Sequence, residues 1–191
     1  VESKSFKLYL NSLNGVCFGS DTQASERIVA DISAVTGSQV GLELHLPDDP
    51  LLAGTALPGT CIDEQPLQGG ADAPDPELLE LQAGSGEQRY YSHLLRSLCP
   101  VTGQPDWASL YIHSRGPLLV PSSLLSYIIA FRQHQEFHEQ CVERIFVDIL
   151  ERCKPEFLQV QAFYTRRGGL DINPMRSTRQ GAQPLPRLDR Q

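Results

Sequence analysis

Apolar residues in the first part of the chain change from helical to strand spacing. Apolar residues spaced three and four positions apart predict a helix over positions 3–14. Apolar and polar residues also alternate in this stretch, which would suit a strand. A clearer apolar stripe predicts a second helix over residues 24–35, which Gly37 would end. Residues 40–46 then alternate between apolar and polar types, which predicts a strand with one buried face.

The same order of elements recurs downstream and indicates an internal duplication. Residues 26–32 and 143–149 are identical at five of seven positions. Flanking apolar positions keep nearly the same offset, since residues 124–131 resemble the first helix and residues 158–162 resemble the strand. The alternative is that two amphipathic helices are alike by chance.

Only the second copy is preceded by a predicted hairpin. Residues 88–99 and 107–115 have the alternation of two long strands, with a tight turn between them. If the copies are equivalent, a complete module has the order strand, strand, helix, helix, strand, with a last strand near residues 169–174. We therefore expect an α+β protein of tandem antiparallel modules with two helices each, whose first module lacks its N-terminal hairpin.

Composition divides the chain into four parts. Residues 1–46 form the remainder of the first module, and residues 87–177 form the complete second module. Between them, residues 47–86 are rich in Pro, Gly, Asp and Ala, which predicts a linker or surface excursion with one short helix at 76–82. The tail, residues 178–191, is predicted to be disordered.

Charge and cysteine content exclude several classes of protein. A net charge of −7 and a pI near 5.2 argue against broad binding to nucleic acid or to anionic membranes. No apolar run approaches the roughly 20 residues that span a bilayer. Five scattered cysteines without a CxxC motif favour reduced thiols in a cytoplasm. The chain begins at Val1, directly in patterned sequence, which suggests a fragment.

The turn between the predicted strands carries the most distinctive chemistry. Cys99 and Asp106 border a segment with two prolines and one glycine, which leaves no room for regular structure. A soft nucleophile and a proton donor on one stiff turn suit addition to a carbon–heteroatom multiple bond. A buried structural cysteine and an ordinary turn aspartate are the alternative for this pair.

Three further groups could bind ligands. His138 and Glu139 open a predicted helix, where a carboxylate could accept two N–H bonds from a guanine-like edge, or simply favour the helix dipole. Arg167 and its neighbours at 166–169 could bind phosphate after a strand, or form a solvated turn. Lys4, with the serines beside it, could serve another phosphate or merely begin a helix.

Two kinds of site are disfavoured by spacing. Cys99, His93, His113 and His138 lie in one module, but no pair has the short spacing of zinc ligands, so we expect no metal site. No GxGxxG or GxxxxGK[ST] motif is present, so a dinucleotide would bind outside a Rossmann or P-loop framework.

Four motifs in this order resemble one known family. They are Val1–Tyr9, Cys99–Trp107, Phe137–Cys141 and Tyr164–Pro174. Together they resemble the NADPH-dependent 7-cyano-7-deazaguanine reductases of queuosine biosynthesis, in the long two-module form, over all but the linker and the tail. The resemblance implies a tunnelling fold related to GTP cyclohydrolase I. It also implies four-electron reduction of a nitrile to a primary amine with NADPH.

The resemblance also implies a role for each site residue. Cys99 would attack the nitrile carbon to give a covalent thioimide, and Asp106 would donate the proton. The residues expected to hold the deazaguanine ring are Val1, Glu2, Ser3, His138 and Glu139. Those expected to contact NADPH are Ser3, Lys4, Arg167 and Gly168. The two halves of the site would thus come from different modules.

Two other functions compete with this reading. One is a zinc-dependent cyclohydrolase of the same fold, and the other is a non-catalytic module that binds a purine or pterin. For each, the expected ligand is a small molecule, with no direct contact to nucleic acid or membrane. We expect the chain to act as a homodimer.

Overall fold

The computed structural model describes residues 2–70 and 72–191, which divide into two compact units. The first unit comprises residues up to 52 together with 168–170. The second comprises residues 53–167 together with 171–191. Within the described ranges, no helix is long and apolar enough to cross a bilayer.

The first unit contains the two predicted helices. Helix α1 spans Ser3–Ser12 and continues as a 3₁₀ turn, and helix α2 spans Asp21–Thr36. The side chain of Ser20 accepts a hydrogen bond from the backbone N–H of Gln23 and so caps α2. Gly37 ends α2 as predicted, because its φ of 64° is in the left-handed region that favours glycine.

The predicted strand at residues 40–46 is wrong. This segment pairs with no strand in the described part of the chain, and Leu44 and Leu46 are 63% and 73% exposed. Alternation identifies a segment that could bury one face, but a strand forms only when a neighbour supplies the other half of the hydrogen-bond ladder.

The second unit is a five-stranded sheet in the order β1-β2-β3-β4-β5. The strands are Thr60–Cys61, Leu81–Leu98, Pro105–Leu119, Phe157–Tyr164 and Met175–Ser177. Strands β1 and β2 are parallel, and all other neighbours are antiparallel. Helices α3, Pro121–Ile129, and α4, His138–Cys153, follow the long β2–β3 hairpin. The α+β class and the predicted order of strand, strand, helix, helix, strand are confirmed.

The core of the second unit lies between one face of the sheet and the two helices. Even-numbered residues of β3 and β4 point toward the helices, because successive side chains of a strand alternate between faces. Fully buried members of this core include Leu110, Ile112, Leu124, Tyr127, Ile145, Ile149 and Val160. The face that carries Asp106 is therefore the face that packs against α3 and α4.

Two other segments differ from their predicted conformation. The last strand lies at Met175–Ser177 instead of 169–174, because Gly168 and Gly169 have φ of 56° and 87° and interrupt extended structure. The predicted helix at 76–82 is a 3₁₀ turn over Pro76–Leu78, after which β2 begins at Leu81.

The tail that was predicted to be disordered packs on the sheet face opposite the helices. Leu188 is 1% exposed and packs with Tyr111 and Phe163. The Gln161 side chain exchanges two hydrogen bonds with the backbone of Leu185, at 2.8 and 3.2 Å. The tail is therefore ordered although its composition is polar, because the sheet face beneath it offers both apolar contacts and hydrogen-bonding side chains.

The internal repeat extends to matching hydrogen bonds. The hydroxyl of Tyr9 donates to Asp31 at 2.9 Å in the first unit. The hydroxyl of Tyr127 donates to Asp148 at 2.6 Å in the second. Since these residues occupy matching positions of the repeated helix pair, the shared bond supports duplication over chance likeness.

Candidate active site

The β2–β3 hairpin places Cys99 at the mouth of its turn. Leu98 pairs with Pro105 as the last step of the ladder, and the Cys99 N–H donates to the Gln104 carbonyl at 2.9 Å. The Gly103 N–H donates back to the Cys99 carbonyl at 2.8 Å, with Gly103 at a φ of 67°. These bonds close the loop from both sides and hold the cysteine backbone in place.

The charge of Arg167 acts on both predicted catalytic residues. Ser97 pairs with Asp106 in the ladder, and both are buried against the helices. Strand β2 ends at Leu98, so Cys99 lies in the turn just beyond the ladder. The positive charge of Arg167 lowers the pKa of the Cys99 thiol, and the same guanidinium pairs with Asp106. That Cys99 and Asp106 act together on one substrate stays a prediction.

The Cys99 thiol is partly accessible and more acidic than an ordinary cysteine. Burial raises its pKa, but hydrogen bonds from the Thr102 hydroxyl and from the backbone N–H groups of Thr102 and Val101 lower it more. The positive charge of Arg167 lowers this pKa further. A thiol with these donors gives up its proton readily and becomes a better nucleophile.

The Asp106 carboxylate is held between two side chains. The residue is 4% exposed, and its Oδ1 forms an ion pair with the Arg167 guanidinium. Its Oδ2 lies 3.1 Å from His138 Nε2. Arg167 is itself anchored, since it also donates to the Pro105 carbonyl at 3.2 Å. A charge buried this deeply requires such partners, and the site supplies one cation and one neutral donor.

His138 is fixed by an aromatic stack. Its imidazole lies on the ring of Tyr164 with centroids 3.7 Å apart. Burial lowers the pKa of His138, and the negative charge of Glu139 offsets this only in part. Because Arg167 already balances the charge of Asp106, the imidazole remains neutral near pH 7. It can then donate its Nε2 proton to the carboxylate.

Glu139 is the next residue of α4 and remains available to a ligand. It is partly buried in the first turn of the helix, where backbone N–H groups favour a negative charge. Across residues 2–70 and 72–191, no hydrogen bond or ion pair engages its carboxylate. The position fits the predicted recognition of N–H donors.

The other predicted ligand residues belong to the first unit. The Glu2 carboxylate accepts hydrogen bonds from the Lys4 and Ser5 backbone N–H groups at 2.8 and 2.7 Å, which lower its pKa. Ser3 and Lys4 are the first two residues of α1. Val1 lies outside the described residues. That these residues join those of the second unit in one site stays a prediction.

Features of the loop after β4 suit the phosphates of a dinucleotide. The Arg167 side chain is 40% exposed and can move, and open space surrounds Gly169, whereas the Lys7 side chain lies against Gly168. Arg166 is engaged elsewhere, because it forms a two-pronged ion pair with Asp171 at 2.9 and 3.0 Å. In the described part of the chain, no three His, Cys, Asp or Glu side chains are arranged to hold a metal ion.

Two contributors to the site were not identified from the sequence. Tyr164 stacks on His138, and the Thr102 hydroxyl hydrogen-bonds the nucleophile. Both residues lie within the motifs of the resemblance, but their presence in a motif does not reveal what they contact. Tyr164 meets His138 because the end of β4 packs against the start of α4, and the spacing of residues along the sequence does not predict that contact.

Two family models match the chain. Residues 1–44 match the model described as nitrile reductase, 7-cyano-7-deazaguanine-reductase N-term. Residues 105–183 match the model described as QueF-like protein. Among solved structures, the apo crystal structure of the archaeosine synthase QueF-Like covers 54% of this chain and 99% of that one, at 14% identity and a TM-score of 0.43.

Curated relatives match over nearly the whole chain, and each is named NADPH-dependent 7-cyano-7-deazaguanine reductase. The protein from Saccharophagus degradans is 47% identical over 100% of this chain and 71% of its own length. That from Chromohalobacter salexigens is 47% identical over 100% of this chain and 69% of its own length. The protein from Teredinibacter turnerae is 49% identical over 99% of this chain and 68% of its own length. The chain therefore belongs to the family of NADPH-dependent 7-cyano-7-deazaguanine reductases.

Proposed function

We propose that this protein reduces the nitrile of 7-cyano-7-deazaguanine to the aminomethyl group of 7-aminomethyl-7-deazaguanine, with NADPH as the reductant. The observation that carries the proposal is an acidified Cys99 thiol and a buried Asp106 carboxylate that share the charge of Arg167. A nitrile has an electrophilic carbon for the sulfur and a basic nitrogen for the proton. The site therefore supplies both partners that this functional group needs.

The first step joins the substrate to the enzyme. Cys99 sulfur bonds to the nitrile carbon, and one carbon–nitrogen π bond breaks. The electron pair moves to nitrogen, which takes the proton that the thiol gave up, so that a neutral thioimide results. Asp106, ionised beside Arg167, can accept the thiol proton and pass it to nitrogen.

Two reductions convert the thioimide to the amine. NADPH supplies one hydride to carbon in each of them. Each hydride leaves negative charge on nitrogen, and Asp106 is placed to donate the matching proton. Between the two reductions the carbon–sulfur bond breaks, which releases Cys99 and leaves an imine for the second hydride. His138 holds the carboxylate at 3.1 Å and keeps it in position throughout.

Recognition of the deazaguanine ring is assigned to carboxylates and backbone groups. Glu139 would accept N–H bonds from the guanine-like edge, with His138 beside it, and Glu2 and Ser3 of the first unit would complete the pocket together with Val1. The available Glu139 carboxylate supports this assignment. A bidentate charged acceptor would select a ring that carries two adjacent donors.

Binding of NADPH is assigned to Arg167 from the second unit and to Gly168, Ser3 and Lys4 from the first. The exposed Arg167 guanidinium, followed by two glycines with positive φ, supports this assignment. We also propose that the protein acts as a cytoplasmic homodimer without direct contact to nucleic acid. Its five free cysteines suit a reducing compartment.

The proposal is tested by mixing the protein with 7-cyano-7-deazaguanine and NADPH and by identifying the product by mass. We expect two NADPH oxidised per nitrile consumed. Asp106→Asn should slow the reaction about 10²- to 10⁴-fold, since Asn keeps the shape but cannot donate the proton. Cys99→Ala should abolish the reaction, whereas Cys17→Ala, in an exposed position of the first unit, serves as the matched control. Unchanged turnover in Cys99→Ala, or loss on removal of metal by a chelator, would contradict the proposal.

A further inference from the structure

We infer that Arg167 is the counterion of Asp106 only until a dinucleotide phosphate binds, and that its transfer to the phosphate lets Asp106 take up the proton used in reduction. This inference rests on the proposed function and adds a link between cofactor binding and proton supply. Arg167 would be a positioning residue for the acid as well as a ligand of the cofactor.

The two roles of Arg167 compete for the same guanidinium. Its ion pair with Asp106 lies at the buried end, and its bond to the Pro105 carbonyl holds it there. The side chain nevertheless remains 40% exposed, so an anion in solution can reach it. A phosphate carries more negative charge than one carboxylate and offers bidentate acceptors in water-accessible space. It can therefore draw Arg167 outward.

The neighbouring arginine cannot make the same exchange. Arg166 is held by Asp171 through two hydrogen bonds, and Asp171 also pairs with Arg187 at 3.1 Å. The ion pairs of Asp171 are with Arg166 and Arg187, whereas Asp106 pairs with Arg167. Arg167 is thus the guanidinium of this loop whose movement changes the charge balance at the acid.

Within the described part of the second unit, Arg167 is the one cation that the structure pairs with Asp106. The Asp106 carboxylate contacts His138 and Arg167, and the charge of Arg167 also acts on Cys99. Glu139 and Tyr164 are the titratable neighbours of His138. Of these, Glu139 is acidic, burial keeps His138 neutral, and burial raises the pKa of Tyr164. A carboxylate that is 4% exposed and left without a counterion favours its neutral form and takes a proton from solvent.

The proton accounting of the reaction fits this cycle. Reduction of a nitrile to an amine requires two hydrides and two protons beyond those of the thiol addition. Each time the reduced dinucleotide binds, Asp106 would take up one proton from solvent. Each time a hydride is transferred, Asp106 would donate that proton to the substrate nitrogen. When the oxidised dinucleotide leaves, Arg167 returns to an ionised Asp106, which is the state that accepts the thiol proton.

The test measures proton uptake when NADP⁺ binds, since the oxidised cofactor cannot start turnover. Calorimetric titration in buffers of different ionisation enthalpy gives the number of protons taken up per NADP⁺. We expect uptake approaching one proton for the unmodified protein and none attributable to the site for Asp106→Asn. The difference between the two removes any proton change of the cofactor phosphate itself. An infrared band of a protonated carboxyl group should appear with NADP⁺ and be absent in Asp106→Asn.

Two arginine variants separate the coupling from general charge effects. Arg167→Gln should weaken NADP⁺ binding about 10- to 100-fold and abolish the uptake, because Asp106 is then already neutral. Arg166→Gln removes the same charge one residue away and should keep the uptake. NADP⁺ binding without uptake in an enzyme that still reduces the nitrile would overturn this inference alone. Absence of NADP⁺ binding would overturn the proposed function with it.

Discussion

His138 lies flat against Tyr164, with the ring planes 17° apart and the centroids 3.7 Å apart. His138 is the first residue of α4, and Tyr164 is the last residue of β4. The stack therefore joins helix to sheet at the place where Asp106 is held. Because the stack opposes rotation of the imidazole about its Cβ–Cγ bond, it helps to keep Nε2 directed at the carboxylate.

Loss of this stack should slow the chemistry. Tyr164→Leu removes the flat surface and frees His138, and a misplaced acid can cost up to about 10²-fold in rate. Tyr164→Phe keeps the ring and should lose far less rate, although the hydroxyl near Ser97 and Cys141 is gone. Steady-state kcat is the measurement, with thermal melting to check that both variants fold. Equal rates in the two variants would show that the stack has no catalytic role.

Replacement of Glu139 should affect the substrate and not the cofactor. Glu139→Gln replaces a carboxylate with two acceptor oxygens by an amide with only one. The amide NH₂ group would then lie opposite one of the ligand's N–H donors, and the two donors cannot hydrogen-bond each other. The expected loss is about 1.5–3 kcal/mol of 7-cyano-7-deazaguanine binding. The control is Glu143→Gln on the same helix, where the carboxylate pairs with Arg176 at 3.1 Å. Calorimetry should show unchanged NADP⁺ binding in both variants, and equal weakening of the two ligands would contradict the assignment.

The acidity of Cys99 should depend on Thr102. The Thr102 hydroxyl stabilises the thiolate, so Thr102→Val should raise the pKa of Cys99 and move the rise in its reactivity to higher pH. Mass spectrometry of the Cys99 peptide after brief alkylation at a series of pH values gives this profile. The exposed Cys17 of the same chain is an internal reference that Thr102→Val should not affect. If the pH dependence of Cys99 alkylation is the same in Thr102→Val as in the unmodified protein, the Thr102 hydroxyl does not lower the pKa of Cys99.

Stability should depend on the repeated tyrosine–aspartate bond in the second unit. Tyr127 is fully buried and donates to Asp148 at 2.6 Å. Tyr127→Phe leaves a charged acceptor without its donor and should lower the free energy of unfolding by about 1.5–3 kcal/mol. Denaturant unfolding measures this loss. A double-mutant cycle with Asp148→Asn should show coupling, and additive losses would mean that the bond contributes nothing of its own.

The elements that were predictable from sequence are those whose contacts are local. The turn between Cys99 and Asp106 is encoded by its prolines and glycine, and the register of the strands before and after it then buries Ser97 and Asp106 as a pair. Alternation at 40–46 was misleading, because it reports a capacity for pairing and not the presence of a partner. The order of the tail depends on Gln161 and other residues of the distant sheet, so its composition could not reveal it.

The role of Arg167 shows the same limit at the site itself. A basic residue after a strand suggested phosphate binding, and its position supports that assignment. Its ion pair with Asp106 depends on how the end of β4 meets the hairpin turn, which local sequence does not specify. Sequence therefore identified which residues matter more reliably than it identified which of them touch.

Formation of a covalent thioimide between Cys99 and the nitrile is the step on which the rest of the proposed reaction depends, and intact-mass spectrometry detects it. The protein is mixed with 7-cyano-7-deazaguanine in the absence of NADPH, so that the reaction stops at the adduct. We expect a mass increase of one substrate molecule, mapped to the peptide of Cys99 and missing in Cys99→Ala. No increase in the unmodified protein, or an increase that persists in Cys99→Ala, would contradict it.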